Sequence, residues 1–162
     1  MQPTIKTSSS GGGFDALKAK LAQIAKSEVY VGVPEDETER KKTTEVTNAG
    51  LLYIHTHGSP LQGIPARPVI EPALEADDNK ALITKKLGET ARAVLASKPS
   101  EAKTLLKQAG MEGSNAAKRW FTDSRNAWAA DSAETIERKG SDRPLIDTAQ
   151  LRRSITYLVD ET

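Results

Sequence analysis

The spacing of hydrophobic residues along this chain changes several times, and each change marks a predicted element. Phe14, Leu17, Leu21 and Ile24 recur at helical spacing with Lys18, Lys20 and Lys26 on other faces, which predicts an amphipathic helix over 14–26. The period then falls to two. Val29, Val31 and Val33 alternate with Tyr30 and Gly32, predicting a strand over 28–33 that Pro34 stops. Glu35 to Glu45 contains no apolar residue, so about 34–46 reads as an exposed charged loop. Val46, Ala49, Gly50, Tyr53, Ile54 and His57 resume a helical stripe, with Gly58 placed as a left-handed cap and Pro60 as a stop.

Prolines at 60, 65, 68 and 72 then make a stiff connector, because each fixes its own φ and pushes the preceding residue toward extended backbone. Arg67, between Ala66 and Pro68, thereby acquires a defined direction. Residues 70–97 form the longest helical candidate, from Ile70, Ala73 and Leu74 through Ile83, Leu87, Ala91, Val94 and Leu95. Asp77 and Asp78 interrupt its apolar face and predict a kink or an exposed first half. Lys98-Pro99 ends it and Ser100 is placed to cap a second long helix over about 100–128. Leu105, Leu106, Ala109, Ala116, Trp120, Phe121 and Trp128 point that helix inward. Gly110 and Gly113 each weaken its middle by about 1 kcal/mol relative to alanine, which predicts a break or bend.

Gly140 to Gln150 is turn-rich, with Asp147 or Thr148 placed to cap one short helical turn. Ile155, Tyr157 and Val159 alternate as a closing strand. An isolated strand pair is marginal in water, so the two strands are expected to join and pack on the long helices. The predicted class is α+β: mainly helical, two long central helices packed with a small antiparallel sheet formed by the N- and C-terminal strands. A single domain over 14–162 follows a flexible arm over 1–13, which ends in Ser8-Ser9-Ser10-Gly11-Gly12-Gly13.

Composition narrows the possible chemistry. The 162 residues include no cysteine, which removes disulfides and thiolate metal sites. Twenty-three basic and 22 acidic side chains give a formal charge of +1, little for a protein that grips bare nucleic acid over a broad face. No apolar run reaches the roughly 18 residues that cross a bilayer. Met1 to Gly13 lacks the apolar centre of a signal peptide, so the chain is expected in the cytoplasm or in a virion, with no membrane partner. A hydrophobic fraction of 37% with 4% aromatics predicts a thin core and extensive exposed helical surface.

No catalytic constellation emerges. His55 and His57, the only histidines, point about 200° apart on a helix and cannot chelate together there; His57 is expected to pack at the helix end and His55 to face solvent. Gly11 to Gly13 lacks the preceding strand and the Lys-Ser/Thr of a phosphate loop. No serine lies in a nucleophile elbow. Asp77-Asp78 and the acids from Glu35 to Glu39 do not converge. The expectation is a non-enzyme with no cofactor and no metal. Basic residues do gather late, as Arg138, Lys139, Arg143, Arg152 and Arg153. They suit a solvated surface or, if copies surround a DNA channel, weak contact with phosphates.

Three segments carry a family resemblance. They are Asn48-Ala49-Gly50-Leu51-Leu52-Tyr53-Ile54-His55-Thr56-His57-Gly58-Ser59-Pro60, then Ile64-Pro65-Ala66-Arg67-Pro68-Val69-Ile70-Glu71-Pro72-Ala73-Leu74, then Thr135 to Gly140 with Pro144-Leu145-Ile146-Asp147-Thr148-Ala149-Gln150-Leu151-Arg152-Arg153-Ser154-Ile155. In order and separation they resemble the tail-completion or neck proteins of long-tailed bacteriophages, also described as virion morphogenesis or minor tail proteins. The resemblance covers roughly residues 14–160. The family usually has an aromatic residue where His57 stands, Phe where Val69 stands and Gly where Ala149 stands. Alanine resists the positive φ that glycine accepts, so the turn before the last strand is expected to differ.

The resemblance implies a structural virion subunit, assembled in the host cytoplasm. It would form a hexameric or dodecameric ring at the head-proximal end of the tail, between head-connector and tail-terminator or tail-tube proteins. Tail terminator and head-closure protein are alternatives within the virion; a nucleic-acid-binding regulator is the alternative of another class. Candidate intersubunit or partner contacts are Arg67, Pro68, Arg138, Lys139, Arg143, Arg152 and Arg153. For Arg67 an internal ion pair that anchors the connector is the competing role.

Overall fold

The computed structural model describes residues 11–34, 46–147 and 149–161. The charged segment 35–45 and most of the N-terminal arm lie outside the described residues. Among the described residues seven α-helices and two strands follow in the order α1 (Gly11–Lys26), β1 (Ser27–Gly32), α2 (Asn48–His57), α3 (Ile70–Glu75), α4 (Asp77–Leu95), α5 (Pro99–Trp120), α6 (Ala133–Lys139), α7 (Gln150–Ser154) and β2 (Thr156–Glu161). The chain is therefore mainly helical, with two long helices packed together and a two-stranded antiparallel sheet made by its first and last strands. Val29 pairs with Val159 and Val31 with Tyr157, so the alternating residues read from the sequence share the face that lies on α5.

Packing explains where local patterns gave different boundaries. The kink expected at Asp77-Asp78 is a full break, and the helix expected over 70–97 is two helices, because Ala76 adopts extended backbone (ψ 129°) between α3 and α4. The side chain of Asn79, 6% exposed, donates to the Ala73 carbonyl at 2.9 Å and accepts from Arg119 at 3.1 Å. A side-chain amide thus satisfies a carbonyl freed at the break. Asp77 and Asp78 then supply the acidic first turn that favours the new helix start. Pro99 opens α5 instead of closing its predecessor, and Ser100 is not its cap. α5 stops at Trp120, short of the expected 128.

No break occurs in α5 at Gly110 or Gly113. Their lack of a side chain lets the sheet sit directly on the helix. A Cβ on Gly110 would lie 2.3 Å from Cδ2 of Tyr157, and one on Gly113 would lie 2.8 Å from Cγ2 of Val31. The core beside this contact holds Val69, Ala73, Ala117, Trp120, Phe121, Leu151 and Ile155. A smaller cluster of Ala93, Val94 and Ala102 receives Ile24 of α1.

Two helices turn differently from expectation. In α2 the inward residues are Asn48, Leu51 and Leu52, while Tyr53 of the predicted stripe is 66% exposed. His55 is half-buried and His57 exposed, the reverse of the expected arrangement; the His57 ring lies 4.3 Å from that of Tyr53. Thr47 caps α2 by accepting from the Gly50 amide. α1 begins at Gly11, so the glycines assigned to the flexible arm are its first turn.

Candidate interaction site

The proline connector leaves α2 at Gly58, whose φ of +74° suits glycine, and where a Cβ would meet backbone atoms of Ile64 and Ala66 at 2.9 Å. It is then pinned at both sides. The Arg67 amide donates to the His55 carbonyl, and the Pro68 carbonyl accepts from the Trp128 indole at 3.2 Å. Arg67 points inward and is 5% exposed. Its Nη2 contacts Oδ1 of Asp131 at 2.9 Å, and its guanidinium donates to the carbonyls of Ala129 and Ala130.

Lys139 reaches the same carboxylate from the end of α6, 2.6 Å from Oδ2, and donates to the Arg143 carbonyl at 2.7 Å. The Arg67, Asp131 and Lys139 side chains are each only 6% exposed. One carboxylate therefore holds two desolvated cations, and backbone carbonyls take further donors of both. This hub ties the connector, the 121–132 link and α6 together.

The link is fixed at its near end too. Arg125 bridges Asp123 and Asp78 and lies 5.7 Å over the Trp120 ring. Hydrogen bonding from the Arg125 side chain holds the Asp123 carboxyl down at about 2.

Of the residues singled out by sequence, Arg67, Lys139 and the backbone of Arg143 meet at this hub. Arg67 and Lys139 are internal ties, as the competing role for Arg67 anticipated. Arg138 is exposed on the rim of the same recess, a space of about 890 Å³ bounded also by His55, Pro65, Leu145 and Gln150. Pro68 is half-buried. Arg152 points elsewhere, donating to the Lys118 carbonyl at 2.8 Å, while Arg143 and Arg153 have exposed side chains. Sequence reasoning missed Asp131 altogether. It sits in an irregular link with no periodicity, and only its contacts reveal it.

Ala149 corrects the expectation drawn from its missing glycine. It adopts φ 58°, ψ 13° as the residue before α7, so alanine occupies the left-handed conformation that it was expected to resist. Neither Asp147 nor any other described side chain caps α7; Thr148 lies outside the described residues. Left-handed backbone costs a non-glycine residue roughly 1–2 kcal/mol. Ala149→Gly is expected to raise stability by about 1 kcal/mol, seen as a Tm increase of about 2–4 °C; an unchanged or lower Tm would contradict this.

Among the described residues no group of three or more histidine, aspartate or glutamate side chains is placed to hold a metal ion. No helix of the described chain is long and apolar enough to cross a membrane. Comparison with protein-family models, with curated proteins and with solved structures finds no match for this chain.

Proposed function

We propose that this protein is a structural subunit of a tailed-bacteriophage virion, a neck or tail-completion protein that assembles into a ring and helps join head to tail. The observation that carries the reading is where the three resembling segments meet. The recess beside the ion-pair hub is lined by Leu51 and His55 from the first segment, Ile64 and Arg67 from the second, and Lys139 and Leu151 from the third. Segments up to about a hundred positions apart build one local unit, and the strongest polar contacts in it are internal. That is what a scaffold requires: a rigid body whose charges are neutralised within it. The exposed cations Arg138, Arg143 and Arg153 remain for a partner ring or for weak contact with channel DNA.

In this reading the protein performs no catalysis and works through a hexameric or dodecameric ring lying between a head connector and the tail terminator or tail tube. The test is electron microscopy of particles made without the protein. Intact heads beside free, unjoined tails are expected. Normal infectious particles would overturn the proposal.

A further inference from the structure

Among the described residues two apolar surfaces lie uncovered at different places. The stretch of α1 from Gly11 to Leu21 displays Phe14, Leu17 and Leu21, which are 73%, 46% and 52% exposed. An amphipathic stripe of this kind ordinarily faces a core. Only its last member, Ile24, does so here, on Ala93, Val94 and Ala102. The second surface is an apolar groove of about 610 Å³ walled by Val31, Val33, Leu52, Tyr53, Ile70 and Leu74. No residue of β2 lines it, so it runs along the side of β1 that carries no partner strand among the described residues.

The two surfaces are complementary in shape and charge. One is a convex helical ridge and the other a concave channel. The groove is edged by the exposed acids Glu71 and Glu75. Glu75 pairs with Lys80, whereas Glu71 has no ion pair among the described residues. Beside the stripe stands exposed Lys18, likewise without an ion pair among the described residues. Helix-in-groove recognition uses such anchors at i, i+3 and i+7, and Phe14, Leu17 and Leu21 have that spacing.

The described part of one chain does not bring these two surfaces together. Its own α1 is held at the far end of α4, where Lys20 donates to the Leu95 carbonyl at 2.8 Å. The groove begins before α4 starts, beside Glu75. The 19 residues of α4 separate them by about 28 Å.

We propose that the Phe14–Leu21 stretch of α1 from one copy docks into the groove of the next copy, apolar stripe inward and Lys18 toward Glu71. Helix and groove are different surfaces, so the contact is head-to-tail and closes into a ring when the rotation allows. This deepens, and rests on, the reading of the protein as a ring subunit.

Sedimentation velocity on the full chain tests it, using Leu17→Asp to disable the helix and Tyr53→Asp to disable the groove. Both positions are solvent-exposed, so circular dichroism should be unchanged in each variant. Wild-type protein is expected to associate beyond the dimer as concentration rises, and each variant alone to stay monomeric. An equimolar mixture of the two should stop at a dimer, since one intact helix and one intact groove remain per pair. Lys18→Glu and Glu71→Lys should each weaken association about tenfold, and the double swap should restore it. Wild type that stays monomeric at millimolar concentration overturns the proposal, as does a mixture with no dimer. Rings that persist in both variants discard this interface while leaving the ring reading to the particle micrographs.

Discussion

Asp131→Asn is expected to lower the unfolding free energy by about 3–5 kcal/mol, the range found when one partner of a buried ion pair is removed. The carboxylate stands between Arg67 at 2.9 Å and Lys139 at 2.6 Å, and all three side chains are 6% exposed. An amide of the same shape leaves two cations desolvated with no counter-charge. The carbonyls of Ala129, Ala130 and Arg143 keep their bonds to those cations but offer only partial charges. Since whole domains are stable by about 5–15 kcal/mol, such a loss brings the chain close to unfolding at room temperature. Urea titration followed by circular dichroism measures it. Lys139→Met is the control, because it leaves the Arg67–Asp131 pair intact and should cost distinctly less. A change below about 1 kcal/mol for Asp131→Asn would mean that water reaches the hub.

Gly110→Ala should destabilise the chain even though alanine is the better helix former. Inside a helix the exchange alone is worth about 1 kcal/mol in favour of alanine. Here the new methyl would sit 2.3 Å from Cδ2 and 2.7 Å from Cγ of Tyr157, at the root of the ring and not at the far end of a flexible side chain. Overpacking of a fitted core costs typically about 1–3 kcal/mol, and an overlap of this depth belongs at or above the upper end. The expected net loss is about 2 kcal/mol, or a Tm lower by about 4–8 °C. Gly88 supplies the contrast. It lies in α4 with nothing within 4 Å of the Cβ position, so Gly88→Ala should stabilise by up to about 1 kcal/mol. Tyr157→Ala should also relieve the Gly110→Ala penalty, a coupling that a double-mutant cycle reads directly. Equal Tm gains for Gly88→Ala and Gly110→Ala would sink the idea that the sheet is seated on a bare stretch of α5.

Both effects lie at positions where sequence reasoning fell short, for related reasons. Gly110 and Gly113 were legible as poor helix formers, and local propensity then predicts a break. The helix continues because the same absence of a side chain lets Tyr157 and Val31 approach. Asp131 was invisible because a lone acid between Ala130 and Ser132 looks like any solvated loop residue. Arg67 was recognised through its prolines, yet its direction, inward to a partner 64 positions away, is a property of the closed fold. Ala149 shows the opposite limit: intrinsic preference argued against φ 58°, and the packing of Leu151 within α7 and of Ile155 just after it overrides it.

By itself the sequence determined the order and kind of most of the elements, though not the short α6 over Ala133–Lys139. Periods of two and 3.6 are written in local spacing, so the two alternating strands, the amphipathic first helix and the long helical stretches could be read without knowing their neighbours. It also determined that the sheet joins the two ends of the chain, since neither strand has another partner of its kind and a lone strand is unstable in water. The tertiary structure decided which face of each element is covered. It turned α2 so that Leu51 and Leu52 pack while Tyr53 stays out, cut the long helix at Ala76, and seated the sheet on two glycines. It buried Arg67 against Asp131 and left Phe14, Leu17 and Leu21 bare. Burial is a relation between segments far apart in the chain, and spacing within one segment cannot encode which other surface will meet it.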